Sequence, residues 1–149
     1  MSKLLFYYDN LSQPCRALEI FLKITGIPFV AKRVNLAAGE NFQEEYSKLN
    51  PFKKVPVIDD NGFILTESIA ILRYLCRERP VPDHWYPKNS QLRARVDEYL
   101  EWQHNETRAH CALYFRVSKN IPEYPTFLEQ ATISFFLIIS VSKVKTAYF

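Results

Sequence analysis

Apolar positions along this chain change their period several times, and each change marks an element. Leu4 to Tyr8 is a short continuous apolar run, as in a buried strand. Asp9-Asn10 breaks it, and a helix is expected to start near Ser12. Ser12 suits the N-cap, Pro14 fits the first turn, and Gly26 suits the position past the helix end. Ile20, Phe21 and Ile24 recur between them at helical spacing. Pro28 argues against a longer helix, and Phe29 to Val34 is rich enough in β-formers for a second strand. Strand, helix and strand within about thirty-five residues make a βαβ unit. Its right-handed crossover sets the two strands parallel in one sheet.

Residues 37–41 read as a loop, and Asn41 to Leu49 as a short amphipathic helix with Phe42, Tyr46 and Leu49 inside. The helix must end before Asn50-Pro51. Lys53 to Ile58 leads tightly into a third strand. Asn61-Gly62 between two apolar runs predicts a hairpin, with Phe63 to Leu65 as an antiparallel fourth strand. A further helix opens at Thr66-Glu67-Ser68, carries Ile69, Leu72 and Leu75, and ends around Arg79-Pro80. The order βαβ-α-ββ-α fits an α/β, thioredoxin-like domain over residues 1–79. Three prolines in residues 80–89 read as a linker. Asn89 or Ser90 then caps a long amphipathic helix with Leu92, Val96, Tyr99, Leu100 and Gln103 on one face, running to about Val117. Residues 90–149 are therefore expected to be the start of an all-helical domain, with a divergent apolar tail from about 120.

Composition narrows the function classes. At 149 residues there is room for one domain, or one small domain and a fragment. The 48% hydrophobic and 23% charged fractions suit a soluble globular protein. A net charge of +3, with basic and acidic residues interleaved, offers no basic stripe for nucleic acid. Cys15, Cys76 and Cys111 lie far apart, so neither a disulfide framework nor a metal site is expected. No leader pattern precedes the first strand, and the default expectation is cytoplasmic. The run Ala131 to Val141 is too short to span a bilayer as a helix, so no membrane span is expected.

Ser12-Gln13-Pro14-Cys15 invites comparison with a Cys-x-x-Cys redox motif at the same strand-to-helix junction. Serine occupies the position of the exposed low-pKa thiol, and Cys15 lies one turn inside the helix. A dithiol oxidoreductase is disfavoured. Ser12 reads either as a plain N-cap or as a hydroxyl that donates to another molecule's thiolate, lowering that thiol's pKa.

Four segments together carry a resemblance. They are Leu11 to Ala17, Asn50 to Pro56, Leu65 to Leu72, and Ala94 to His104. Over residues 1–117 the chain resembles a theta-class glutathione S-transferase. The resemblance implies glutathione as co-substrate, small electrophiles as the other substrates, conjugation as the reaction, and a homodimer. Ser12 takes the place of the catalytic hydroxyl that stabilises the glutathione thiolate. Lys54 and Val55 fall in the segment whose backbone pairs with the cysteinyl part of the tripeptide, before a cis bond to Pro56. Glu67 and Ser68 open a helix whose free N–H groups receive the γ-glutamyl carboxylate.

The chain also departs from the family pattern. Asn41 stands where the theta pattern usually has a histidine at the glycyl end of glutathione, which implies weaker binding unless Lys53 or Lys54 compensates. Asn105 and Arg108 occupy places near the electrophile pocket, and the acid some members carry there is absent. Full-length members continue for several more helices, so the resemblance implies a truncated or alternatively spliced product. The alternative reading is a non-catalytic glutathione-binding or dimerising module that lacks most of the electrophile pocket.

Overall fold

A computed structural model describes residues 4–111 and Tyr114. The chain divides into two compact units at Lys88/Asn89. In the first unit β1 (Leu4–Tyr8) is central, and α1 (Gln13–Ile24) connects it to β2 (Phe29–Arg33). A 3-10 turn (Glu40–Phe42) and α2 (Glu44–Leu49) follow, then the hairpin β3 (Val57–Asp60) and β4 (Phe63–Thr66), then α3 (Ser68–Glu78). The sheet order is β2-β1-β3-β4, with β1 parallel to β2 and antiparallel to β3. This is the mixed four-stranded sheet of a thioredoxin-like domain.

Alternation along the strands decides the two faces. Leu4 and Phe6 of β1 and Ile58 of β3 join Leu18, Phe21 and Leu22 of α1 and Ile71 and Leu75 of α3 in one core. The next residues along, Tyr7 and Val57, face a smaller core with Val34 and Tyr46. Helices α1 and α3 therefore cover one face and α2 the other. The hairpin turn has φ of 56° at Asn61 and 92° at Gly62, the two positive values that a type I′ turn requires. Helix α1 closes through a Schellman arrangement: the Ile27 N–H donates to Leu22 O (3.0 Å), and Gly26 has a φ of 69°.

Several expectations are corrected. Ile20 and Ile24 are 57% and 66% exposed, while Cys15, Leu18, Phe21 and Leu22 form the buried stripe of α1. The helical spacing was real, but its phase was set by residues on the adjacent turn face. The expected helix over 41–49 is broken at Gln43, whose ψ of 151° is extended. Phe42 is exposed as a result, and Asn41 is buried in its stead. In α3 the fully buried residues are Ile71 and Leu75, with Ile69 and Leu72 only half-buried. The proline-rich stretch 80–89 contains a 3-10 turn at Asp83–Trp85, and Trp85 packs edge-on against Phe21 at 5.2 Å.

In the second unit α4 (Ser90–Trp102) is capped by Asn89, whose Oδ1 accepts from the Gln91 and Leu92 N–H groups at 3.0 and 3.1 Å. Gln103–Arg108 continues it as a π-helical turn, which the sequence pattern did not predict. On the expected apolar face Leu92 and Tyr99 are 59% and 60% exposed. The expected helix end near Val117 and the tail from 120 lie outside the described residues. No helix among the described residues is long and apolar enough to cross a membrane.

Candidate functional site

Register places four connections at one end of the sheet. Tyr8 pairs with Arg33, Tyr7 with Val57, and Val57 with Thr66. The ends of β1, β2 and β4 and the start of β3 therefore share one edge. The loops that leave it carry Ser12, Asn41, Lys54 with Val55, and Glu67 with Ser68. Asn105 and Arg108 stand in the second unit, within the π-helical turn.

The loop after β1 is organised by Asp9, which is 1% exposed. Its Oδ1 accepts from the Leu11 N–H at 2.7 Å, a two-residue side-chain turn, and its Oδ2 accepts from the Leu36 N–H at 3.3 Å. Its backbone carbonyl accepts from the Ser12 N–H at 3.0 Å. One carboxylate thus ties the Ser12 loop to the loop after β2. Arg16 braces the same loop through Nη1 to the Asn10 carbonyl at 2.6 Å.

Ser12 occupies the N-cap of α1, as expected, but its hydroxyl makes no capping bond. It is half-buried and lies at the positive end of a twelve-residue helix. Burial pushes the Cys15 thiol up, with hydrogen bonds from the Ser12 hydroxyl and the Asp9 backbone as partial offsets. Cys15 is 0% exposed. A buried thiol held in its neutral form is a poor nucleophile, which weighs against the oxidoreductase reading.

The bond between Val55 and Pro56 is cis. The Lys54 carbonyl accepts from both the Tyr46 hydroxyl (2.7 Å) and Asn50 Nδ2 (2.8 Å). The Lys53 carbonyl accepts from Asn41 Nδ2 at 2.9 Å. Both carbonyls are committed inside the protein, whereas the Val55 N–H and C=O make no hydrogen bond among the described residues. The Lys53 and Lys54 side chains are exposed. Asn41 is 7% exposed, so its amide supports the neighbouring segment, and its Oδ1 has no partner among the described residues.

Glu67 precedes α3 with φ 64° and ψ 112°, outside the regions ordinary for a non-glycine residue. Its carbonyl accepts from the Ile71 N–H at 2.9 Å, and no side chain caps the helix. The first-turn N–H groups from Ser68 onward are left to meet an anion or water. In the second unit the Arg108 guanidinium donates to His104 Nδ1 at 2.7 Å, and Asn105 is exposed. Among the described residues no group of His, Cys, Asp or Glu is placed to hold a metal ion.

Sequence reasoning missed Asp9, Tyr46 and Asn50 as builders of this edge. The signal was present for two of them. An Asp directly after a strand and an Asn before proline are side-chain turn formers as well as breakers of the preceding element.

The first unit is thus a thioredoxin-like domain that carries, at one edge, a half-buried hydroxyl at one helix start, a second helix start that no side chain caps, and a Val55 backbone without hydrogen bonds among the described residues. Residues 4–77 match the family described as the glutathione S-transferase N-terminal domain, and through that domain the chain belongs to the glutathione S-transferase family. Relatives of the theta class are among those it matches. It is 52% identical over 113 residues to glutathione S-transferase theta-1 of Bos taurus, a match that covers 74% of this chain and 47% of the relative. The apo form of human glutathione S-transferase T1-1 superposes with a TM-score of 0.82 at 42% identity, covering 93% of this chain and 60% of that one. A human theta-class transferase in complex with the glutathione conjugate of 1-menaphthyl sulfate superposes at 0.83 with 36% identity, covering 93% and 59%. The chain spans about half the length of the curated relatives it matches.

Proposed function

We propose that this chain binds glutathione at the sheet edge built by Ser12, Val55 and the start of α3, and activates its thiol for conjugation to small electrophiles. The observation that supports this best is the convergence on one edge of three groups suited to a peptide ligand. They are the Ser12 hydroxyl, which makes no capping bond and reaches the Cys15 thiol, a Val55 backbone without hydrogen bonds among the described residues, and the N-terminus of α3, which no side chain caps. In this reading the γ-glutamyl carboxylate meets the N–H groups at Glu67-Ser68, and the cysteinyl backbone pairs with Val55. The Ser12 hydroxyl donates to the thiolate. That bond and the α1 dipole favour the charged form, so the thiol loses its proton to solvent near neutral pH.

The thiolate sulfur then attacks an electrophilic carbon. The new S–C bond forms as the bond to the leaving group breaks, or as an epoxide C–O bond opens. Proximity and thiolate activation supply the catalysis, with no metal required. Lys53 and Lys54 contribute exposed ammonium groups for the glycyl carboxylate, while Asn41 acts through the Lys53 carbonyl it holds. Asn105 and Arg108 are assigned to the electrophile side. The division of labour is a glutathione-binding unit over residues 1–79, a connection over 80–89, and the start of a helical domain after it. A cytoplasmic homodimer with a detoxifying role completes the proposal.

The test is Ser12→Ala. It is expected to raise the pKa of bound glutathione's thiol and cut conjugation of small halides and epoxides on the order of a hundredfold, with glutathione still bound. An unchanged thiol pKa and unchanged turnover would show that Ser12 has no such role. The second reading, a glutathione-binding or dimerising module without turnover, is favoured by the exposed Leu92 and Tyr99 of α4. Calorimetry with glutathione beside a conjugation assay separates the two, since binding without turnover selects the module.

A further inference from the structure

Three buried side chains converge on two successive carbonyls just ahead of Val55. Tyr46 and Asn50 both donate to Lys54 O, and Asn41 donates to Lys53 O. The three are 8%, 1% and 7% exposed, and they come from α2, the connection after it, and the 3-10 turn before it. The set also closes on itself. The Asn50 N–H donates to Tyr46 O at 2.8 Å, Asn50 Oδ1 accepts from the Phe52 N–H at 3.0 Å, and the Lys53 N–H donates to Asn50 O at 2.9 Å.

Such a network is more than a connection into β3 requires. With two donors on it, the Lys54 carbonyl has both lone pairs engaged and is turned into the protein. Lys53 is held at a φ of 56°, a conformation a lysine keeps only where its surroundings over-determine it. Val55 is left as the first residue of the segment with neither backbone group hydrogen-bonded among the described residues.

We propose that Tyr46, Asn50 and Asn41 are positioning residues for ligand binding: they hold the Lys53-Lys54 backbone so that the Val55 N–H and C=O are presented, already ordered, to a peptide ligand. The inference rests on the glutathione reading above. Its consequence is a split of roles along the edge. The Ser12 loop sets the state of the thiol, and the clamp sets how tightly the peptide backbone is held, because an ordered segment has less freedom to lose on binding.

Tyr46→Phe tests this, since it removes one donor and keeps the ring that packs against Tyr7. The control is Tyr74→Phe. It removes a comparable hydroxyl, bonded to Asp60 Oδ2 at 2.8 Å, at the opposite end of the sheet, where Asp60 pairs with Leu4 and Phe63. Calorimetry with glutathione on the full chain is expected to show Kd raised roughly three- to tenfold in Tyr46→Phe and unchanged in Tyr74→Phe. The pKa of the bound thiol is expected to stay at its wild-type value in both.

If both variants weaken binding equally, the effect is general destabilisation and the clamp is refuted. If Tyr46→Phe binds like the wild type while the wild type binds glutathione, the clamp is refuted and the glutathione site stands. If the wild type does not bind glutathione, both readings fall. Should Tyr46→Phe fold poorly, Asn50→Ser, which removes the other donor to Lys54 O, is judged by the same outcomes.

Discussion

Replacing Asp9 by asparagine perturbs one atom of the loop that carries Ser12, and the structure sets the size of the effect. The Asp9 side chain is 2% exposed, and its two oxygens accept from the Leu11 and Leu36 N–H groups at 2.7 and 3.3 Å. Hydrogen bonds to an ionised acceptor contribute about 1.5–3 kcal/mol each. Asparagine keeps the shorter bond as a neutral one and sets its own N–H against that of Leu36. The nearest cation, Arg33 Nε, lies 3.9 Å away on a side chain that is 68% exposed, so losing that pair costs little. Removing a buried charge relieves some desolvation, but the Leu36 donor remains and now faces another donor, which decides the sign. The expected loss is about 2 kcal/mol, or a fall of about 1 M in the urea midpoint. Equilibrium urea unfolding of the two proteins, followed by glutathione calorimetry on the folded variant, makes the measurement. A change in stability below about 0.5 kcal/mol, within the range of an ordinary surface substitution, would refute the claim that this carboxylate holds the loop.

Three further outcomes are expected. Gly26→Ala should lower stability by about 1 kcal/mol, read as a lower Tm. A Cβ there meets nothing within 4 Å, so the whole cost is the φ of 69°; an unchanged Tm would mean the helix end relaxes freely. Stability should also fall as the solution is made alkaline. Burial raises the Cys15, Tyr46 and Tyr74 groups and pushes Cys76 up to about 11. An acid whose folded pKa lies above its unfolded value favours the native state while it is neutral. For Cys76 that contribution is complete below about pH 9 and is lost between about pH 9 and 11. Cys76→Ser should flatten this part of a denaturation-midpoint profile. In the same protein at neutral pH, iodoacetamide should label the exposed Cys111 first and the buried Cys15 last; rapid labelling of Cys15 would revive the oxidoreductase reading.

Much of the site's framework was legible from local signals. Ser12 with Pro14, Asn61-Gly62 and Asn89 each announce a boundary through chemistry that acts within a few residues, and each boundary lies where that chemistry places it. The phase of the apolar stripes was less legible. Ile20 and Ile24 match a helical period as well as Leu18 and Leu22 do, and only the neighbouring sheet selects between them. The break at Gln43 was equally hidden, because nothing within 41–49 records that Asn41 is needed at Lys53, twelve residues on.

The opening segment, Leu4 to Gly26, determined by itself a strand, a helix beginning at Ser12-Pro14 and a hydroxyl at its positive end, because an apolar run, a first-turn proline and a C-terminal glycine all act at short range. What that hydroxyl stands beside was decided by the tertiary structure. Pairing of Tyr7 with Val57, and of Val57 with Thr66, brings three distant loops to one edge. Asp9 and Asn50 form local side-chain turns, but the bonds from Asp9 to Leu36 and from Tyr46 to Lys54 join segments that no local pattern pairs, since a buried polar group must find its partner wherever the fold provides one.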